Sequence, residues 1–320
     1  MLSKELKLFL EQQNNPWTHA FIAKGNAKNE APDFVWEQGK EKVFDLASMT
    51  KALFTAPMIH KNIKLNQALK DVFGSEVSGE FGELKLSEIL SHQSGLPPWK
   101  NFWINQFDDN HRFKNEETGT HWKRVLKRLG DMNLQNKAFS YSDVGYIVLG
   151  FVLSKIKNKS LHELAVDWFA GSDIGFLPKN TENIVPTAFC ALQKMRLQGV
   201  PHDENCRSLG GVSGHAGLFG SGKGLTTWLH KTTKTLEFKG FLDAASNFEG
   251  TENSVLGWRR YDSSAGFGGG IGHYGFTGTA LMIDPTTYNY NIILSNAVHG
   301  HRNPSQRTRL RELVFNELGS

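Results

Sequence analysis

Both ends of the chain carry short strand-like stretches bounded by turn residues, and the middle is mostly helix and loop. Near the start, Thr18 to Lys24 and Phe34 to Gln38 read as two strands across an Asn-rich turn. Near the end, Gly278 to Ile283 and Tyr290 to Leu294 read as two more across Asp284-Pro285-Thr286-Thr287. Helical patterns fill the space between. One starts at Ser48 and runs to His60, with Pro57 expected to kink or end it. Short helical segments follow from Leu65 to Leu90, then helices over about 121–129, 143–156 and 161–169, and a loop-rich region to about residue 220. An amphipathic helix over residues 3–12 opens the chain and another over 305–318 closes it. Strands first, helices in the middle and strands last cannot make a repeating βαβ unit. They predict a mixed α/β fold of the α+β type: one antiparallel sheet built from both chain ends, flanked by helices, with a mostly helical lobe. The expected division is a single domain over 1–320, with an α/β lobe of about 1–65 and 225–320 and a helical lobe of about 66–224.

Composition narrows the function classes. The net charge is only +4 and no run of five or more basic residues occurs, so nucleic acid is not an expected partner. Cys190 and Cys206 form no CxxC, which excludes a disulfide framework. One bridge between them, or two thiols packed as small hydrophobes, both remain open. The first residues lack a continuous apolar signal core, and no stretch approaches the roughly 20 apolar residues of a membrane span. The expected location is cytoplasmic for the chain as given, or periplasmic or extracellular if an export signal has been trimmed. The 22 Phe and 8 Trp are enough to line an apolar cleft.

Three local patterns carry chemistry. Ser48-Met49-Thr50-Lys51 has the spacing S-x-x-K, which puts a hydroxyl and an amine on one helix face a turn apart. Burial would lower the lysine pKa and make it a base for the serine, and the helix N-terminus offers N–H groups to an oxyanion. An exposed helix lysine has the same spacing. Tyr141-Ser142-Asp143 precedes a helix that Ser142 or Asp143 can cap, and Tyr141 is a phenol able to shuttle a proton beside a cationic lysine. Gly272-His273-Tyr274-Gly275-Phe276-Thr277-Gly278-Thr279 is glycine-rich and adjoins a strand, where a ligand can approach backbone closely. No phosphate-binding glycine motif is present.

Taken in order, these patterns match the motif arrangement of penicillin-recognising serine enzymes. With Phe44 to Lys51, Leu90 to Trp99, Tyr141 to Tyr146, Gly214 to Phe219 and Gly272 to Thr279, the chain resembles the class C β-lactamase-like serine hydrolases over about residues 15–318. That superfamily holds β-lactamases, penicillin-binding proteins, D-Ala-D-Ala carboxypeptidases, esterases and cell-wall amidases. The resemblance implies a β-lactamase/transpeptidase-like fold and acyl transfer to water without a cofactor. It implies Ser48 as nucleophile, Lys51 as its activating partner, Tyr141 as proton shuttle and His273 in the place of the third-motif lysine. Backbone N–H groups of Ser48 and Phe276 would form the oxyanion hole. Asp143, Tyr274, Gly275, Trp99 and His215 are expected to contact substrate.

Two departures bear on mechanism. Asp143 stands where the family usually has Asn, and a carboxylate near Lys51 would hold that lysine charged and shift the base role toward Tyr141; Asp143 as a simple helix cap is the alternative. His273 replaces Lys, which makes efficient β-lactamase activity less expected. An imidazole titrating near pH 6.5 would grip a substrate carboxylate less well above neutrality. The segment Pro201 to Gly217 resembles that of a subset of this family among cell-wall hydrolases and amidases acting on muropeptides. A zinc reading of His202, Asp203, Glu204 and His215 lacks a recognised ligand spacing, so no metal is expected. His92 is expected to pack in a turn against Trp99. The resulting expectation is a serine hydrolase that cleaves an amide of a muropeptide or D-amino-acid peptide. An esterase of small acyl esters and a non-catalytic penicillin-recognising regulatory protein are the alternatives.

Overall fold

The strands predicted at the two chain ends form one sheet in the computed structural model, which describes residues 3–12, 17–104, 106, 108, 113, 121–248, 254–261, 270–299 and 304–318. The strands are β1 (Ala20–Asn26), β2 (Phe34–Glu37), β3 (Val43–Asp45), β4 (Gly175–Phe176), β5 (Phe189–Cys190), β6 (Met195–Arg196), β7 (Leu218–Ser221), β8 (Arg259–Tyr261), β9 (Gly270–Tyr274), β10 (Ala280–Ile283) and β11 (Asn289–Ser295). Six of them form the main sheet in the order β2-β1-β11-β10-β9-β8. Every pairing in it is antiparallel, with Ile22 opposite Ile293 and Leu281 opposite His273. The first and last strand-forming segments of the chain thus meet at β1 and β11, as expected of a sheet built from both chain ends.

The helices are α1 (Lys4–Leu10), α2 (Ala56–Asn62), α3 (Leu69–Phe73), α4 (Gly79–Gly82), α5 (Leu86–Leu90), α6 (His121–Gly130), α7 (Asp143–Lys157), α8 (Leu161–Trp168), α9 (Glu204–Ser208), α10 (Gly222–Thr232), α11 (Leu236–Asn247) and α12 (Pro304–Leu318). The period of two in the strands sorts their side chains onto two faces. Ile22, Ala280, Met282 and Ile293 pack with Leu6 and Leu10 of α1 and Leu310, Val314 and Phe315 of α12. Phe21, Ala23, Leu281, Ile283, Ile292 and Leu294 face the larger core, which holds the helices of the middle region. The loop-rich stretch before residue 220 contains more order than its sequence suggests: α9 and the strands β5 to β7. Strand β7 pairs with β3 and β4 in a three-stranded sheet. Cys190 and Cys206 are free thiols. Among the described residues no helix is long and apolar enough to cross a membrane.

Pro57 neither ends nor breaks the helix after Ser48. Residues Lys51–Thr55 form a wide π turn that runs directly into α2, with Pro57 near the α2 start. A proline has no N–H, so carbonyls one turn earlier lose a backbone donor. Two indoles replace it: Trp258 Nε1 donates to Ala52 O at 3.1 Å and Trp168 Nε1 to Leu53 O at 2.9 Å. Lys51 is the first residue of this anchored wide turn.

Candidate active site

The segment leading to Ser48 is held on both sides. Ala47 adopts a left-handed backbone with φ of 47°, which a residue with a Cβ rarely accepts. Asp45 holds the turn, because its Oδ1 accepts from Ala47 N at 2.9 Å while its Oδ2 accepts from His202 N at 2.7 Å. Across from it, the turn between β9 and β10 is stapled to the same strand end. Thr277 Oγ1 donates to Asp45 O at 2.7 Å and Thr279 Oγ1 to Leu46 O at 3.2 Å. Gly275 is required there, since a Cβ would lie 2.7 Å from Leu46 O and closer still to Thr279 Oγ1. These staples bring Phe276 to the cleft that Ser48 lines.

Lys51 is fully buried beneath Ser48. Its Nζ donates to Ser48 Oγ at 2.9 Å and to the His215 carbonyl at 3.1 Å. Asp143 Oδ1 stands 2.7 Å from Nζ as an ion pair, off the axis of a hydrogen bond. The Nζ also lies 5.1 Å from the centre of the Tyr141 ring, whose hydroxyl interacts with both Lys51 and Ser48. Burial works to lower the Lys51 pKa, but the charges of Asp143 and Tyr141 outweigh it and leave it raised. Tyr141 is also raised, by burial and by Asp143, against the pull of Lys51. The resting site therefore holds an ammonium beside a neutral phenol. The two readings of the second motif divide between neighbours: Ser142 Oγ caps α7 by accepting from Gly145 N at 3.0 Å, and Asp143 turns to Lys51.

His273 departs from its expected behaviour. It lies on β9, 3% exposed, and burial together with the charges of Lys51, His92 and Arg259 pushes its pKa well below the usual 6.5. The shift favours the neutral imidazole and so works against an electrostatic grip on a substrate carboxylate. His92 also differs from expectation. It packs against Phe139, Tyr141 and Tyr146 and accepts from Ser142 N at 3.0 Å on Nδ1. Burial pushes its pKa down to about 3, so it stays a neutral acceptor holding the Tyr141 loop.

All the residues expected at the site converge except that Lys51 lies under the cleft floor instead of lining it. Ser48, Trp99, Tyr141, Asp143, His215, His273, Tyr274, Gly275 and Phe276 line one cleft of about 630 Å³. Trp99 is half exposed at its edge, and Phe276 stacks on His202 with ring centres 5.3 Å apart. His215 lies at the cleft base, its Nε2 2.7 Å from Asp203 Oδ1.

Sequence reasoning missed the positive wall of this cleft. Arg259 comes from β8, and Arg307 and Arg311 from α12. Arg311 lies 4.2 Å from the centre of the Tyr274 ring and donates to Gly275 O at 2.9 Å. Burial, and then the nearby charges of Arg307 and Arg259, lower its pKa to about 10. In sequence, Arg307 and Arg311 look like solvated charges on a terminal helix; their i, i+4 spacing is the one signal that they share a face.

Known proteins resemble this arrangement. A model of the Beta-lactamase family matches residues 37–315. An N-acetylmuramyl-L-alanine amidase of Bacillus subtilis strain 168 is 28% identical over 306 residues, spanning 80% of this chain and 68% of the relative. A candidate D-alanyl-D-alanine carboxypeptidase of Salmonella gallinarum is 26% identical over 316 residues, with 80% and 70% covered. Among solved structures, a class C beta-lactamase from Rhodobacter sphaeroides superposes with a TM-score of 0.71 at 13% identity and 97% coverage of both chains, a likeness of fold. With the family model covering most of its length and the antiparallel sheet in place, the chain belongs to the Beta-lactamase family.

Proposed function

We propose that this protein is a serine amidase that cleaves an amide of an anionic, peptidoglycan-derived peptide through an acyl-enzyme on Ser48. The observation that carries the reading is the contact of buried Lys51 Nζ with Ser48 Oγ at 2.9 Å at the base of an open cleft, with Tyr141 facing both. The resting pair is an ammonium and a phenol, so attack requires it to lose one proton first. The phenolate of Tyr141, stabilised by Lys51, then takes the Ser48 proton as Oγ bonds to the substrate carbonyl carbon. N–H groups of Ser48 and Phe276 receive the charge on the carbonyl oxygen. When the tetrahedral adduct collapses, the C–N bond breaks and Tyr141 returns its proton to the departing amine. Water repeats the sequence on the acyl-Ser48 ester and releases the acid.

Substrate class follows from the cleft wall and the relatives. Three arginines favour an acyl or leaving group with carboxylates. Two curated relatives are named for cell-wall amide cleavage. The test is turnover of anhydro-muropeptides against p-nitrophenyl acetate, with a fluorophosphonate and a fluorescent penicillin followed by mass spectrometry. Efficient muropeptide cleavage and a probe adduct on Ser48 are expected. Far better turnover of the acetate ester with muropeptides untouched would point to an esterase, and no adduct with either probe to a non-catalytic binding protein.

A further inference from the structure

His273 is a buried polar side chain with one nitrogen committed and one open. Its Nδ1 lies 2.9 Å from the Tyr274 carbonyl. A carbonyl only accepts, so Nδ1 must carry the hydrogen. In the neutral ring Nε2 is then a bare lone pair. That atom is buried and has no hydrogen-bond partner among the described residues, while His273 lines the same cleft as Ser48. Around the ring stand Lys51, the Tyr141 phenol at 6.0 Å between ring centres, His92 and Arg259. Two of these are cations, and they oppose a proton on Nε2. A carboxylate brings no donor to such an atom. An N–H does.

We propose that His273 Nε2 accepts a hydrogen bond from the N–H of the scissile amide, so that this residue makes the site select secondary amides over the matching esters. The inference rests on the amidase reading above and deepens it. Holding the leaving nitrogen by its N–H leaves that nitrogen's lone pair to take the proton from Tyr141 as the C–N bond breaks. An ester oxygen has no hydrogen to offer and leaves Nε2 unsatisfied. The amide that makes this bond gains roughly tenfold or more over the ester that cannot. The third-motif residue, expected from sequence to hold a carboxylate, instead reads the leaving atom, and the carboxylates fall to the arginine wall.

The experiment uses the full chain with N-acetyl-D-alanyl-D-alanine and its depsipeptide, in which D-lactate replaces the leaving D-alanine. Both keep the same acyl group and terminal carboxylate. The quantity read is the ratio of kcat/KM for amide to kcat/KM for ester. His273→Leu removes the acceptor and should lower that ratio tenfold or more. His273→Gln keeps an acceptor oxygen and should restore most of it, which also guards against a general loss of folding. Equal losses on the two substrates in both variants would overturn the assignment. Ser48→Ala separates this from the parent reading: if it still cleaves both substrates, the nucleophile is wrong, whereas a dead Ser48→Ala with an unmoved ratio in His273→Leu condemns the role of His273 alone.

Discussion

Two serine clusters lie beside one cleft, and only one of them presents its hydroxyl to it. Ser48 bonds to Lys51, which pairs with Asp143. Ser213 Oγ lies 2.8 Å from His215 Nδ1, and His215 Nε2 lies 2.7 Å from Asp203 Oδ1. The second set has the residue types of a Ser-His-Asp triad, and a pattern search would prefer it. Geometry decides against it. Ser213 is 2% exposed and does not line the cleft, so its hydroxyl is closed to a substrate carbonyl. What this cluster supplies is a fixed loop: the His215 carbonyl accepts from Lys51, and Gly214 O accepts from Thr55 Oγ1 at 2.7 Å. A hydroxyl beside a base is a nucleophile only where a substrate carbonyl can reach it.

The largest effect should come from exchanging the two serines in turn. Ser48→Ala is expected to lower kcat/KM by at least about a thousandfold and to abolish any covalent adduct seen by mass spectrometry. Ser213→Ala should leave kcat/KM within about threefold and cost about 1–3 kcal/mol of stability in urea unfolding, since it strands a buried imidazole nitrogen. Reversed effects would mean that the buried cluster opens in solution and carries the chemistry.

Much of the first cluster was legible in the sequence, and almost none of the second. Ser48, Lys51, Tyr141 and His273 announce themselves because each stands in a short local pattern: a hydroxyl one helical turn from an amine, a phenol before a helix cap, and a glycine-rich strand edge. The sheet is legible because strands buried on both faces read as short apolar runs bounded by turn residues, as in Ala280 to Ile283 and Ile292 to Leu294 on either side of Asp284-Pro285-Thr286-Thr287. The wide turn under Lys51 is not, because it depends on indoles from Trp168 and Trp258, which lie far along the chain. The i, i+4 spacing of Arg307 and Arg311 is the one local sign of the wall they form with Arg259, and the lowered pKa of His273 follows from burial and surrounding cations, which no spacing records.

Asp143 sharpens the comparison at an intermediate scale. Both carboxylates hold a base, but only the one at Lys51 sits on the proton path. Asp143 raises the pKa of Lys51 and of Tyr141, and the pair must shed a proton to act. The rate should therefore climb with pH on the alkaline side of neutrality. Asp143→Asn removes the negative charge, lowers both pKa values and should move that limb about one pH unit toward acid, raising kcat/KM at pH 7 up to about tenfold. Profiles of kcat/KM from pH 6 to 10 measure this. A limb that stays in place or moves toward alkali would place the titrating base elsewhere.

Asp45 joins the two clusters, and its effect should be the smallest on rate and visible in stability. Its two oxygens bind the N–H groups of Ala47, beside Ser48, and of His202, beside Asp203. Burial outweighs these bonds and pushes its pKa up from 3.8 to about 6. A folded-state pKa above the unfolded value means that the folded protein holds this proton more tightly. The contribution is present in full below pH 3.8 and is lost as pH rises through about 6, a swing of about 3 kcal/mol. Asp45→Asn cannot titrate. Urea unfolding at pH 4 and pH 7 should show the wild type losing more stability than Asp45→Asn across that interval. An equal pH dependence in the two proteins would mean that the carboxylate is ionised throughout and that its two backbone bonds outweigh its burial.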